Sequence, residues 1–189
     1  MNKNLQDYVL KFPNVLDNFL CDTLLNEVEQ IKWKVNTFYN HQTKTHKSVS
    51  DGKDLDTSYD TVNSQNKLMK NLWLVIHKYI KEFLKFNWFN SWDGFSSLKF
   101  NRYRTNKLMK EHCDHIKSLF LGETRGIPIL SIVGSLNNNY EGGEFIMFQD
   151  TEYKIKAGEV LIFPSNFLYP HKVLPVKKGT RYTYSSWVY

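Results

Sequence analysis

The sequence predicts an α+β protein: helices first, then a double-stranded β-helix, or jelly roll, with the helices packed on the outside of the β unit. Two observations carry this. Helical periodicity is confined to residues 1–94, and from Phe95 onward short strand-like runs follow one another to the C-terminus. That segregation argues against an alternating α/β order, and many short strands broken by turn signals argue for a barrel or jelly roll. An aromatic share of 15%, with 11 Tyr and 13 Phe, leans the same way, because strands favour large flat side chains. A chain of 189 residues is expected to form one domain. Residues 1–94 would be its helical support, with a polar loop at 36–63, and residues 95–189 its core.

The first elements are read as follows. Val9, Leu10 and Phe12 suggest a short extended lead-in that Pro13 interrupts. Over Asp17–Lys34 the period becomes helical, with Leu20, Leu24, Val28 and Ile31 in one stripe, Leu25 beside it, and Asp22-Thr23 as the expected N-terminal cap. Residues 36–63 are rich in Asn, Thr, Ser, Asp and Lys and hold the Asp51-Gly52 turn signal, so they read as a long loop or lid. His41 and His46 lie in it with no accompanying carboxylate pattern and read as solvated. Residues 64–86 predict the longest helix. Leu68, Leu72, Val75, Ile76, Tyr79, Ile80 and Phe83 recur at helical spacing, while Lys67, Lys70, Lys78, Lys81 and Lys85 occupy the other faces. The apolar stripe is expected to pack on a sheet, with His77 as a packing residue and Trp33, Trp73, Trp88 and Trp92 in core or helix-packing positions.

The strand-like runs are Phe95–Arg104, Leu108–Asp114, Ile127–Leu136, Gly143–Phe148, Tyr153–Ile155, Glu159–Phe163, Leu168–Leu174 and Thr180–Val188. Turn signals at Asn137-Asn138-Asn139, Gly142-Gly143, Lys156-Ala157-Gly158 and Lys177-Lys178-Gly179 separate several of them.

Composition narrows the classes. The formal charge of +6 would suit an acidic partner, nucleic acid included, but the lysines are spread along the chain and read as a solvated surface. Cys21 and Cys113 form no CxxC pair, so neither a disulfide framework nor a zinc site is indicated, and a reducing cytoplasm is the expected compartment. There is neither a signal-peptide core at the N-terminus nor an apolar run long enough to span a membrane. Oligomeric state is left open.

The chemistry begins at His112-x-Asp114. Side chains two apart in a strand share a face, so these two can offer an imidazole and a carboxylate to one metal ion. His171, 57 positions beyond Asp114 in the expected seventh strand, supplies a second imidazole. Such a set leaves adjacent coordination positions open and suits non-haem Fe(II). Arg181 follows across a Gly179 turn and can take a carboxylate by two parallel hydrogen bonds. Thr183, Ser185 and Trp187 share its parity. Cys113 and His115 have the opposite parity to the ligands and read as packing or rim residues, with Lys110 and Glu111 at the cleft mouth.

Further motifs surround this set. Tyr103 stands nine residues before His112. Glu141-Gly142-Gly143-Glu144-Phe145 and Ala157-Gly158-Glu159-Val160-Leu161-Ile162-Phe163 precede His171, and Pro175-Val176, Gly179-Thr180-Arg181 and Trp187 follow it. With them, residues 95–189 resemble the 2-oxoglutarate and Fe(II)-dependent dioxygenases, nearest the prolyl 4-hydroxylase-like branch. The resemblance implies that His112, Asp114 and His171 hold the iron. It implies that Arg181 takes the distal carboxylate of 2-oxoglutarate, with Tyr103 and Thr183 hydrogen-bonding near it. Ascorbate would support turnover, and oxidative decarboxylation to succinate and CO2 would drive hydroxylation of a substrate. Asn106 and Met109 stand where the branch often has Gly and Tyr, and Ser135 stands where a further Tyr is common, with Ser131 two before it. Ser135 or a water would then take that tyrosine's place at the cosubstrate.

The resemblance implies a peptide or protein substrate, most of all a prolyl side chain, under a lid formed by 36–63. A free amino acid or other small metabolite is the alternative. Nucleic-acid demethylation would call for a second arginine six residues after Arg181, where Trp187 stands. A non-catalytic jelly-roll binding module is the remaining reading.

Overall fold

The computed structural model describes residues 3–40, 43–48, 50–85, 92–114 and 127–189. His41, Trp88 and His115 lie outside them. A 3-10 turn at Leu5–Tyr8 leads into strand β1 (Leu10–Phe12) and helix α1 (Asn18–Glu29). Next come β2 (Lys34–Val35), β3 (Phe38–Asn40), β4 (Thr45–Lys47) and β5 (Asp56–Ser58). Helix α2 (Gln65–His77) continues into a π-helical segment at Lys78–Leu84. The β unit consists of β6 (Lys99–Tyr103), β7 (Met109–His112), β8 (Leu130–Ser135), β9 (Tyr140–Gly142), β10 (Phe145–Met147), β11 (Thr151–Glu152), β12 (Val160–Pro164), β13 (His171–Val173), β14 (Val176–Gly179) and β15 (Arg181–Val188).

The larger sheet runs β1-β12-β8-β15-β6-β5-β2 and the smaller one β11-β10-β13-β7, with β14-β9 and β3-β4 as separate two-stranded ribbons. Together the strands form the jelly roll. Alternation along the larger sheet separates two buried clusters. Phe100, Ile132, Val160, Ile162, Tyr184 and Val188 face the helices and share one cluster with Leu20, Leu24 and Val28 of α1 and Leu68, Leu72 and Ile76 of α2. Leu161, Phe163 and Tyr103, on the other face, join Met109, Phe145, Met147 and Val173 of the smaller sheet and its surroundings.

Several elements differ from the expectation. The cap of α1 is Asp17, whose carboxylate accepts the Leu20 N–H at 2.7 Å. Asp22 and Thr23 lie inside the helix, and the Thr23 hydroxyl donates to the Phe19 carbonyl at 2.7 Å. The buried stripe already starts at Leu20, so a cap at Asp22-Thr23 would fall after its first residue. The helix stops at Glu29, since Lys34 and Val35 pair with β5 instead.

The 36–63 stretch is not one loop. It contains the β3-β4 ribbon and β5, a wholly buried strand of the larger sheet. Asp-Thr-Ser gives no apolar alternation, so the strand is invisible to hydrophobicity. It is held by charge, with Arg102 and Arg104 each placing an Nη2 at 3.0 Å from Asp56 Oδ2. The strand expected at Tyr153–Ile155 stands earlier, at Thr151–Glu152. Gly142 of the Gly142-Gly143 signal lies in β9 and all of Lys177-Lys178-Gly179 lies in β14, and these two strands pair with each other. Gly142 has φ of 78°, and a Cβ there would sit 2.6 Å from the Pro175 carbonyl oxygen, so only glycine fits. Asn106, where the resemblance led to Gly, has φ of 66°, a left-handed conformation that Asn tolerates better than most residues. Trp73 is 44% exposed. It lies off the buried stripe of α2 and packs against a tilted Trp92 ring and an edge-on His77 ring, with centroids at 4.5 and 4.8 Å. Among the described residues no helix is long and apolar enough to cross a membrane.

Candidate metal centre and anion pocket

Strands β7 and β13 are neighbours in the smaller sheet, and His112 and His171 are direct partners across them. Their ring centroids lie 4.3 Å apart. Asp114, two residues past His112, brings Oδ1 to 3.4 Å from His112 Nε2 and 3.6 Å from His171 Nε2. All three ligand atoms fall within 4.8 Å of one another, the one such cluster among the described residues. His46 sits exposed on the β3-β4 ribbon, apart from this cluster.

Both rings are oriented from behind. His112 Nδ1 lies 2.9 Å from the Lys110 carbonyl and His171 Nδ1 3.2 Å from that of Tyr169. An Nδ1–H donated to each carbonyl leaves both Nε2 lone pairs aimed at the cluster. The Ser131 hydroxyl donates to Asp114 Oδ2 at 2.6 Å and lies 2.9 Å from the Ser165 hydroxyl, which leaves Oδ1 turned toward the imidazoles. His171 is further packed by Phe145 and Phe163, at 5.4 and 5.2 Å between ring centroids.

The electrostatics follow. Burial alone would raise the Asp114 carboxyl, but the imidazoles of His171 and His112 and the Ser131 hydroxyl hold it well below the usual carboxylate range. Burial lowers His171 to about 4, against the opposing pull of Asp114. At neutral pH the cluster is therefore one carboxylate and a neutral His171, a donor set that suits a divalent cation.

The inner face of the larger sheet holds the second feature. Arg181 is 2% exposed and directly opposite Tyr103 in the register. Its guanidinium carbon lies 5.1 Å from the Tyr103 ring centre. No carboxylate of the described residues forms an ion pair with it, and its Nε has no hydrogen-bond partner among them. A buried guanidinium without an anion is costly, and a bound carboxylate would offset that cost. Burial raises the Tyr103 phenol despite the neighbouring Arg181, so it stays protonated and able to donate. Thr183 and Ser135 are buried and face each other across β15 and β8. The Ser135 hydroxyl donates to the Asn137 carbonyl at 3.1 Å.

Three polar residues on or beside this face escaped sequence reasoning. Asn101, two residues before Tyr103, donates to the Ser185 hydroxyl at 2.9 Å. Lys99, two further back, donates to Asn36 Oδ1 at 3.0 Å. The parity of Tyr103 would have pointed to Asn101 and Lys99, whereas no local signal marks Asn36. Cys113 turns away, with its thiol raised by burial and nearby acids and directed to the Phe167 carbonyl at 3.5 Å. Glu111 is exposed, with Lys172 at 3.7 Å.

Residues 98–189 match the sequence profile of the 2OG-Fe(II) oxygenase superfamily. A PKHD-type hydroxylase of Crocosphaera subtropica is 35% identical over 98 residues, 49% of this chain and 42% of that protein. A PKHD-type hydroxylase of Xylella fastidiosa is 32% identical over 107 residues, 48% of this chain and 43% of that one. The aligned part thus spans about two fifths of the length of these curated relatives. The fold is that of a Pseudomonas putida prolyl-4-hydroxylase, at a TM-score of 0.66 and 18% identity over 96% of this chain and 91% of that one. It is likewise that of a Trichoplax adhaerens prolyl hydroxylase solved with a peptide fragment of hypoxia inducible factor, at a TM-score of 0.70 and 15% identity over 97% and 84% of the two chains.

Proposed function

We propose, from the match of residues 98–189 to the 2OG-Fe(II) oxygenase superfamily, that this enzyme hydroxylates a prolyl side chain in a peptide or protein, with release of succinate and CO2. Fe(II) and 2-oxoglutarate are the cofactors that the superfamily implies, and the residues present fit both. The observation that carries the reading is the pairing of a His-Asp-His cluster within 4.8 Å with a buried arginine that has no carboxylate partner. Fe(II) together with 2-oxoglutarate and dioxygen supplies the oxidising chemistry when bound. His112, Asp114 and His171 would hold the metal. Arg181 would bind the distal carboxylate of 2-oxoglutarate, with the Tyr103 phenol donating beside it and Thr183 and Ser135 lining the same face.

The chain's own residues do the positioning. The Lys110 and Tyr169 carbonyls fix the ring orientations, and Ser131 fixes the carboxylate. The apolar layer of Phe145, Phe163 and Met147 packs around His171 and helps keep water from its ring. The prolyl preference is supported by the prolyl hydroxylases of Pseudomonas putida and Trichoplax adhaerens that share the fold.

The test is incubation with Fe(II), 2-oxoglutarate, ascorbate and prolyl peptides, following succinate and a substrate mass gain of about 16 Da, one added oxygen. The expected result is peptide-dependent succinate release that disappears in Asp114→Ala. Turnover on free amino acids with none on peptides would move the reading to a small-molecule hydroxylase. Binding of neither Fe(II) nor 2-oxoglutarate would defeat the oxygenase reading itself.

A further inference from the structure

Lys99 has no place in the cofactor scheme above. It lies on β6 with the parity of Tyr103 and directly opposite Ser185 on β15, so it belongs to the inner face of the larger sheet. Its ammonium forms no ion pair with any carboxylate of the described residues. The contact it does make is with Asn36 Oδ1 at 3.0 Å. Asn36 is buried, and its own Nδ2 is shut off from water with no acceptor. A buried amide donor left unpaired is costly, so two groups that can only donate stand side by side with acceptors missing.

Their location is informative. Asn36 lies just ahead of β3, where the Phe38 ring stands 6.2 Å from that of His112. Asn36 and Lys99 therefore adjoin the metal cluster from the 36–63 side, whereas Arg181 lies further along β15, opposite Tyr103. Burial lowers Lys99 to about 8 while the charge of Asp114 opposes the shift, so the ammonium is still charged at neutral pH and senses the metal cluster's carboxylate.

We propose that Lys99 and Asn36 form a carboxylate-binding subsite beside the metal cluster, so that the substrate presents a carboxylate close to the carbon that is oxidised. The ammonium retains two protons beyond the one given to Asn36, and the amide Nδ2 retains both of its own. That is a donor-only pair, suited to an acceptor-only ligand. The carboxylate has three available sources: an acidic side chain flanking the target residue, a C-terminal carboxylate, or the α-carboxylate of a free amino acid. The inference rests on the oxygenase reading and narrows its substrate.

The test is binding, with no turnover required. Short prolyl peptides are titrated by calorimetry, under anaerobic conditions, into enzyme loaded with Fe(II) and 2-oxoglutarate. One peptide is blocked at both ends and neutral, one carries Glu beside Pro, one carries Gln there, and one has a free C-terminus. Free proline and alanine-for-proline twins complete the set. A carboxylate-bearing probe is expected to bind about 10-fold or more tightly than its neutral twin, as charge-assisted hydrogen bonds do. The preference should vanish in Lys99→Met and persist in Lys99→Arg, with 2-oxoglutarate affinity changed less than twofold in both. Whichever of the Glu, C-terminal and free-acid probes gains identifies the source. Carboxylate probes that bind no better than neutral twins, or not at all, overturn the subsite. So does a preference that survives Lys99→Met, or a Lys99→Met effect that falls on 2-oxoglutarate instead. Equal binding of the alanine twins counts against the prolyl reading alone, because it leaves the carboxylate preference measurable.

Discussion

The two faces of the larger sheet carry opposite chemistries on the same strands. On β15, Tyr184 and Val188 point into the cluster shared with α1 and α2, while Arg181 and Thr183 point inward. On β8, Ile132 faces the helices while Ser131 and Ser135 face the interior. On β6, Phe100 lies between Lys99 and Asn101. One face buries apolar area and supports the fold. The other carries hydroxyls and amides together with the buried Arg181 and the half-buried Lys99, two cations that no carboxylate of the described residues pairs with. A strand's period of two lets neighbouring residues answer to different demands, so stability and chemistry should be separable by substitution.

The outer face offers the largest expected effect. Leu24 on α1 is fully buried among Phe100, Ile132 and Tyr184 in the helix-side cluster. Leu24→Ala is expected to cost about 2–5 kcal/mol of folding stability, through lost transfer energy and the cavity left behind. Chemical denaturation measures it. The apparent KM for 2-oxoglutarate, measured below the melting temperature, should stay within twofold of the parent. A large change in KM would show that the faces are coupled.

Arg181→Ala makes the inverse experiment on the inner face. Loss of the guanidinium should raise the apparent KM for 2-oxoglutarate about 10- to 100-fold, the range of a charge-assisted hydrogen-bonded pair. Since no carboxylate of the described residues pairs with Arg181, the ligand-free protein should lose far less stability than Leu24→Ala does. An unchanged KM would remove Arg181 from the cosubstrate site.

The same contrast explains what could be read from the sequence. The helix-side face was legible because Leu20, Leu24, Val28, Leu68, Leu72 and Ile76 repeat at helical spacing. The metal cluster was legible because His112 and Asp114 lie two apart and His171 sits in a motif of fixed shape around it. The inner polar face was mostly not. Asp56-Thr57-Ser58 has no apolar signal; it is a strand because it pairs with β6 and β2, with Arg102 and Arg104 reaching its carboxylate from distant positions. Lys99 and Asn36 are 63 residues apart, so only the fold shows that they meet. The caps and turns missed at Asp17 and at β9-β14 are likewise decided by which stripe or strand the chain must reach, a tertiary condition absent from local pattern.

The smallest expected effect is a pH dependence of the metal-free protein. Burial holds His171 at about 4, below the ordinary imidazole value of 6.5. A group whose folded pKa is depressed contributes stability that is present above its unfolded pKa and lost as pH falls toward the folded one. The window is therefore from 6.5 down to about 4, with a loss on the order of 1 kcal/mol by one pH unit below the unfolded value. Thermal melts of the metal-free protein at steps across this window should show the decline, and His171→Gln should flatten it. Leu24→Ala should shift the whole curve down without changing its slope, because its defect lies on the face that holds no titrating ligand. A Leu24→Ala curve with an altered slope would mean that the helix-side cavity reaches the metal cluster through the sheet, and the separation of the two faces would fail at its most sensitive point.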